Sequence, residues 1–509
     1  MLSNIYTCAA SGIDGKMIGV EVSCLKGQNS FFMVGLPDTA VKEAKERVES
    51  AVSHNGYSFP QVKITVNLSP ADIKKEGTAF DLPLALGILI SSGQLFPEVD
   101  LSRYVILGEL SLSGQVKGVK GILPMMLGAL AAGFRDFIVP AANLREACLA
   151  GCGRVYGAAN LGEAVGHISG KAPLAPADPN CLPPAATEIE PIDMADVKGQ
   201  QQVKRAMEIA AAGGHNMLMI GPPGSGKTML ARRFTTILPE MARSESLQTT
   251  KIYSVAGMLD ESTPLITQRP FRSPHHTVSP VALVGGGSIP RPGEVSLANG
   301  GVLFLDEFAE FPKQALEVLR QPLEDKKVTI SRVNATYTYP ASFMLLAGMN
   351  PCPCGYRGDP RHSCKCSSSD IQRYTKKISG PLLDRIDIVA HVNVEKYEFL
   401  SRRNDAAESS EKIRSRVDRA RKIQLKRMEG STFVSNSQIS AKEIEIYCPL
   451  GREENRIMKA AFEAYAMSAR TYHRVLKLSR TIADLAGEEN INCEHIAEAL
   501  QYRGSFSTL

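Results

Sequence analysis

Eight consecutive residues, Gly221-Pro222-Pro223-Gly224-Ser225-Gly226-Lys227-Thr228, separate an apolar stretch from an amphipathic one. Glycines at this spacing let backbone N–H groups close on phosphate oxygens, the lysine neutralises the outer phosphates, and the threonine hydroxyl is placed for Mg²⁺. The expected ligands are therefore ATP and Mg²⁺. An ordinary glycine turn is the competing reading, and the strand before it and the helix after it argue against that. The run Gly301-Val302-Leu303-Phe304-Leu305-Asp306-Glu307 reads as a buried strand ending in two carboxylates, at the sheet edge where nucleotides bind. Asp306 would hold Mg²⁺ through water, and Glu307 would orient or deprotonate the attacking water. Two acids after a strand also suit a plain helix N-terminus. Their company with the glycine loop decides between the two.

A third strand ends Ala347-Gly348-Met349-Asn350, where Asn350 would reach the γ-phosphate or the attacking water; a strand-terminating turn residue is the alternative. Pro381-Leu382-Leu383-Asp384-Arg385-Ile386-Asp387 sets an arginine between acids. Offered to a neighbouring subunit's nucleotide, such an arginine stabilises charge on the transferring phosphoryl group. A surface ion pair explains it equally well on spacing alone.

These residues need strands that end side by side. Between 192 and 393 the pattern predicts helix 200–212, strand 217–220, helix 227–238, strand 302–305, helix 312–323 and strand 342–347, an alternation expected of a parallel sheet in an α/β/α layering. Residues 1–168 alternate strand-like runs near 18–22, 62–66 and 104–107 with helical patterns at 38–54 and 82–92, a second mixed domain. Between them, 169–191 is rich in proline and alanine and reads as an extended linker. From 394 to 509 only helical periodicity remains, at 410–428, 452–465, 469–486 and 493–503. The expected fold class is α/β multidomain with a helical terminal domain.

A chain of 509 residues is too long for one core, which agrees with that division. Its 44% apolar and 22% charged residues exclude a disordered or fibrous protein, and a formal charge of +5 permits a polyanionic partner without demanding one. No apolar run approaches the roughly 20 residues of a membrane span, and the first residues lack the character of a signal peptide, so the expectation is a cytoplasmic protein. Seven of the eleven cysteines are scattered singly, as in a reducing compartment.

The other four cysteines form Cys352-Pro353-Cys354 and Cys364-Lys365-Cys366, with His362 nearby. Four thiolates can close a tetrahedral Zn²⁺ site in a small knuckle over 352–366, although C-x-C is tighter than the usual C-x₂-C; unliganded cysteines on a loop are the alternative. Candidate polymer-contacting loops are Arg269-Pro270-Phe271-Arg272-Ser273-Pro274-His275-His276 and a hairpin from Lys326-Lys327 to Arg332. Basic groups there would track phosphates and Phe271 would stack on a base. The competing reading is that Phe271 is core and the charges are a solvated face. The same two readings apply to a basic helix carrying Arg414, Arg416, Arg419, Arg421, Lys422, Lys426 and Arg427.

Taken together, the glycine loop, Ser273-Pro274-His275-His276, the run from Gly293 to Glu307 and Pro381 to Asp387 resemble the magnesium-chelatase-like AAA+ ATPases, in their YifB/ComM branch, over nearly the full chain. The resemblance implies that Asn350 is the sensor-1 residue, Arg385 the arginine finger, and Arg470 the sensor-2 arginine on a helical lid, with Arg474 as the fallback. It implies a ring, as a hexamer, with ATP between subunits, acting on single-stranded or branched DNA as a helicase or translocase that promotes branch migration in DNA uptake and recombination. A chelatase-type motor and a protein-remodelling module are the alternatives. Residues 75–81 and 108–116 resemble the proteolytic domain of Lon protease, which implies an α+β fold of the ribosomal S5 domain 2 type. Here Ala79 stands where that family has its nucleophilic serine and Leu123 where it has its lysine base, so the peptidase chemistry has no nucleophile and no base.

Overall fold

The computed structural model describes residues 2–151, 153–178, 192–260, 264–287, 290–332, 335–394, 407–431 and 433–504. They group into two compact units. Met1–Thr187, Arg243–Ile266 and Ser331–Tyr339 form the first; Glu188–Ala242, Thr267–Ile330 and Pro340–Leu509 form the second. This division differs from the one read in the sequence, because two stretches from within 192–393 join the first unit and the terminal helices share the second with the P-loop region. Most of the proline-rich segment, including Pro179, Pro183, Pro184 and Pro191, lies outside the described residues, as do Cys152 and Cys181.

The first unit is built on a seven-stranded mixed sheet. Its strands are β1 (Leu2–Ser11), β2 (Asp14–Leu25), β3 (Ser30–Val34), β4 (Lys63–Ser69), β5 (Tyr104–Ile106), β6 (Asp136–Pro140) and β7 (Arg154–Ala158), in the order β3-β4-β2-β1-β5-β6-β7. β1 and β2 form a hairpin in register from Leu2 opposite Ser23 to Ser11 opposite Asp14, with Gly12 taking the positive φ of the turn. The helix Asp81–Ser91 is buried along its whole length, which explains why it is apolar on every side. The two runs that resemble Lon lie together: the Leu82 N–H donates to Gly108 O (3.0 Å) and the Gly108 N–H to Ala79 O (3.0 Å). Ala79 and Leu123 are both buried in apolar packing.

The second unit contains a five-stranded sheet. Strands β8 (Met217–Ile220), β9 (Phe271–Arg272), β10 (Val302–Leu305), β11 (Met344–Met349) and β12 (Ile388–His391) run in the order β9-β10-β11-β8-β12, every pair parallel. Parallel strands covered on both faces must be apolar throughout, and the fully buried Val302-Leu303-Phe304-Leu305 and Met217-Leu218-Met219-Ile220 obey that. One apolar core links this sheet to the helices Ser410–Arg427, Arg452–Ala464, Ala469–Ala486 and Cys493–Gly504, through Val417, Met458, Ile482 and Ile496 among others. The predicted helix over 312–323 is instead two short ones, Lys313–Glu317 and Arg320–Asp325. Pro322 is the cause: inside one continuous helix it would lack a donor and clash with the carbonyl four residues earlier, whereas in the first turn of a new helix it is tolerated.

Candidate functional site

The carboxyl ends of β8, β10 and β11 open into a cleft of about 720 Å³ that contains Lys227, Thr228, Asp306, Glu307 and Asn350. Sheet topology puts them there: β8 pairs with β11 and β11 with β10, so three chain segments far apart in sequence finish at one edge. Two glycines show how closely the loop is drawn in. A Cβ on Gly221 would lie 2.3 Å from Val392 O, and Gly226 caps the helix Lys227–Phe234 at φ +90°, a conformation other residues avoid. The loop therefore keeps its amides at a helix N-terminus, where an anion is favoured.

Within the cleft the Lys227 ammonium donates to Gly221 O (2.8 Å), Pro222 O (3.1 Å) and Asn350 Oδ1 (3.2 Å). Burial pushes its pKa down, while Asp306 and Glu307 oppose that. Thr228 Oγ1 donates to Asp306 Oδ2 at 2.6 Å, so the hydroxyl and the carboxylate that suit Mg²⁺ are already adjacent. The Ser225 hydroxyl is buried and has no hydrogen-bond partner among the described residues. That orphaned donor, the helix N-terminus and the lysine together fit a polyphosphate.

Arg385 and Arg470 do not line this cleft. They line a second cavity of about 710 Å³ together with Arg474, Lys477 and Lys326. One acid holds both: Glu324 Oε1 is 2.6 Å from Arg385 Nη2 and 2.7 Å from Arg470 Nη2. Arg385 also donates to Pro381 O, and its buried Nε has no partner among the described residues. Asp387 lies 3.5 Å from both His215 Nδ1 and Arg474 Nε. Burial raises its pKa, but these groups and the Asn216 amide outweigh that and hold it down to about 2.

The four clustered thiols converge. Cys352 Sγ lies 3.4 Å from Cys354 Sγ and 3.6 Å from Cys364 Sγ, and all four sulfurs, Cys366 included, fall within 4.8 Å of one another. A tetrahedron with Zn–S bonds of about 2.3 Å requires S···S separations of about 3.8 Å. The tight C-x-C spacing is therefore no obstacle. The Tyr356 backbone N–H holds the Cys354 thiol down to about 6, favouring a thiolate there. His362 instead contacts Asp359, at 3.2 Å, and stacks near Tyr356.

Three family models cover most of the chain: "Magnesium chelatase, subunit ChlI" over residues 193–400, "Subunit ChlI of Mg-chelatase" over 20–143 and the C-terminal part of the same subunit over 407–503. The competence protein ComM of Haemophilus influenzae is 42% identical over 99% of this chain and 97% of its own length. YifB of Escherichia coli is 41% identical over the same shares. The chain belongs to this ComM/YifB family of magnesium-chelatase-type AAA+ proteins. Lon protease 2 of Bacillus subtilis is 31% identical over 155 residues, 28% of this chain, which accounts for the Lon-like character of the N-terminal region.

In this family member the segment Arg269–His276 is not the free basic loop expected from its composition. Phe271 packs on the core and stacks with Phe304, ring centroids 5.9 Å apart, so it is a sheet residue and not a base-stacking platform. Arg272 makes a two-bonded pair with Glu294 (2.7 and 2.8 Å), and Arg269 donates to the carbonyls of Pro239, Glu240 and Gly300. Both arginines fasten the strand. The end of the segment runs into the nucleotide cleft, where His276 Nδ1 is 3.0 Å from Glu307 Oε2. Sequence reasoning missed that contact, although the paired histidines after a short strand were its available signal. Lys326 lines the second cavity, where burial lowers its pKa and Asp387 opposes that, and the side chain of Arg332 lies outside the described residues. On the basic helix, Arg416 binds Glu208 and Glu408, Arg421 binds the carbonyls of Ala211 and Ala212, and Arg427 binds Asp484. Arg419, Lys422 and Lys426 are exposed. Among the described residues no helix is long and apolar enough to cross a membrane.

Proposed function

We propose that this chain is an ATP-hydrolysing motor that acts on DNA as a ring helicase or translocase, promoting branch migration during DNA uptake and recombination. The observation that carries the ATPase reading is the convergence of Lys227, Thr228, Asp306, Glu307 and Asn350 on one cleft. Lys227 and the loop amides hold the phosphates, Glu307 aligns water on the γ-phosphorus, and Asn350 fixes the far side of that water or phosphate. Thr228 and Asp306 would hold Mg²⁺, which neutralises phosphate charge when bound. The separate cavity of Arg385 and Arg470 supports a ring, a hexamer in this reading, since arginines outside their own chain's cleft can serve a neighbour's. The DNA task comes from the likeness to a competence protein, with the exposed Arg419, Lys422 and Lys426 as phosphate contacts.

ATP turnover measured without DNA, with single-stranded DNA and with forked DNA, each at two salt concentrations, tests this. Stimulation is expected, falling as salt rises, because every neutralised phosphate contributes about −0.7 to −0.9 to the slope of log affinity against log salt. Turnover indifferent to both DNA and salt would favour a chelatase-like or protein-remodelling client instead.

The reading places Zn²⁺ on Cys352, Cys354, Cys364 and Cys366, directly after Asn350, where it would couple nucleotide state to DNA. Elemental analysis of the purified protein is expected to give one zinc per chain, and Cys354→Ser to lose it together with DNA stimulation. A Cys354→Ser protein that keeps both its zinc and its response to DNA would count against this.

A further inference from the structure

One buried glycine, Gly355, lies where the clustered thiols meet the nucleotide loop. A Cβ on it would come 2.7 Å from Pro223 Cδ and 2.8 Å from Pro223 Cγ, so even a methyl group there must push the ring aside. We propose that the cysteine knuckle is a metal-dependent wall of the nucleotide site: with Cys352, Cys354, Cys364 and Cys366 tied to zinc, Gly355 holds Pro223 in place, and nucleotide affinity rises with metal occupancy. The inference rests on the readings of the thiols as a zinc site and of residues 221–228 as a nucleotide loop.

Three observations carry it. Pro223 lines the cleft, and its ring closes on its own backbone nitrogen, so a push on Cδ or Cγ reaches the loop without the slack of a rotatable side chain. Gly355 also sits beside the residue that meets the lysine. Its Cβ position is 3.8 Å from Asn350 Cγ, and Asn350 Oδ1 accepts from Lys227 Nζ at 3.2 Å. Finally, Gly355 belongs to the turn that carries the thiols: it follows Cys354 directly, its N–H donates to Cys352 O (2.9 Å), and its backbone takes φ +85°.

The metal dependence follows from chain entropy. Cys352 and Cys354 precede Gly355, while Cys364 and Cys366 come from the far end of the loop. Tied together, the two ends close that loop and leave Gly355 one position against Pro223. Released, the four thiols now within 4.8 Å of one another belong to an open loop with its freedom restored, and Pro223 loses its wall. Such coupling is reciprocal: zinc and nucleotide strengthen each other's binding by one common factor.

The parent chain, Gly355→Ala and Gly358→Ala test this, with zinc content read by elemental analysis beside affinity for a fluorescent ATP analogue in the presence of Mg²⁺. Zinc is withdrawn by a chelator selective for zinc over magnesium and then restored. The stripped parent is expected to bind the analogue about 5- to 100-fold more weakly than the loaded one, and to recover on addition of Zn²⁺. Saturating analogue should raise zinc affinity by the same factor. With Zn²⁺ in excess, Gly355→Ala should still bind the analogue more weakly than the parent, because its methyl group displaces Pro223. Gly358 separates contact from backbone strain: it lies in the same loop at φ +82°, yet a Cβ there meets nothing within 4 Å. Gly358→Ala should therefore stay within about twofold of the parent in analogue affinity. The inference is overturned if the stripped parent binds the analogue as tightly as the loaded one, if Gly355→Ala matches the parent, or if Gly358→Ala loses as much as Gly355→Ala. Should the stripped parent unfold, the two glycine variants decide alone. A parent without zinc removes the metal reading and this inference with it, and one that binds no analogue removes the motor reading. A parent that holds both, each indifferent to the other, sinks this inference alone.

Discussion

Exchange of Glu307 for glutamine should leave ATP bound and unhydrolysed. The amide keeps the size of the side chain and can still meet His276, but it cannot take a proton, and it presents a donor where the water needs an acceptor. A fall in kcat of about 10²- to 10⁴-fold is expected, with affinity for an ATP analogue preserved. Lys227→Ala should fail differently. Lys227 Nζ already bridges Gly221 O, Pro222 O and Asn350 Oδ1, so its loss removes the cation that meets the outer phosphates and also loosens the loop. Binding and turnover should both drop. Should either variant hydrolyse ATP at the parent's rate, the role assigned to that residue is wrong. Parallel loss of affinity in Glu307→Gln would instead mean that the glutamate grips ligand and does not align water.

These residues were legible in the sequence because their chemistry is local. A glycine loop needs only the strand before it and the helix after it, and the acidic pair needs only to end a buried strand. β8, β10 and β11 then carry Lys227, Asp306 and Asn350 to one edge by parallel pairing, a consequence of topology rather than of any one contact. The terminal helices were legible for a similar reason: Ile413, Val417, Ala420 and Gln424 repeat at helical spacing because one face is buried. What could not be read is which partner a side chain finds across the fold. In the sequence Phe271, Arg269 and Arg272 look like a basic aromatic loop, and nothing in the intervening residues announces Phe304, Gly300 or Glu294 as their partners. Lys326 reads as an exposed cation until its place in one cavity with Asp387 is known. The contact between His276 and Glu307 spans thirty-one positions and depends on β9 lying against β10. Cysteine spacing misleads in the opposite sense. C-x-C is tighter than the usual spacing of a metal site, yet the sulfurs of Cys352 and Cys354 are 3.4 Å apart and Cys364 comes within 3.6 Å of Cys352 because the loop between them folds back.

Arg385→Ala should abolish turnover nearly as completely as Lys227→Ala, by about 10³-fold or more, while leaving nucleotide bound by the isolated chain. The reason is the placement of the residue. Arg385 shares Glu324 with Arg470 in a cavity that its own chain's Lys227 does not line, and its buried Nε has no partner among the described residues. A guanidinium so held is preorganised, its side chain only 9% exposed, and it must exchange Glu324 for a stronger anion to act. A neighbour's γ-phosphate is such an anion. Mixing supplies the decisive measurement. In the proposed ring, a mixture of Arg385→Ala and Lys227→Ala chains would contain interfaces where an intact loop from the first faces an intact arginine from the second. Activity should therefore reappear on mixing two proteins that are each inactive, and should be greatest near equal proportions. If Arg385 served its own chain's cleft, every interface in the mixture would retain one defect that disables it, and mixing would restore nothing. Recovery on mixing would thus locate the arginine in trans without any structure of the assembled ring, and its absence would leave Glu324 as the lasting partner of Arg385 in an ion pair that holds the fold.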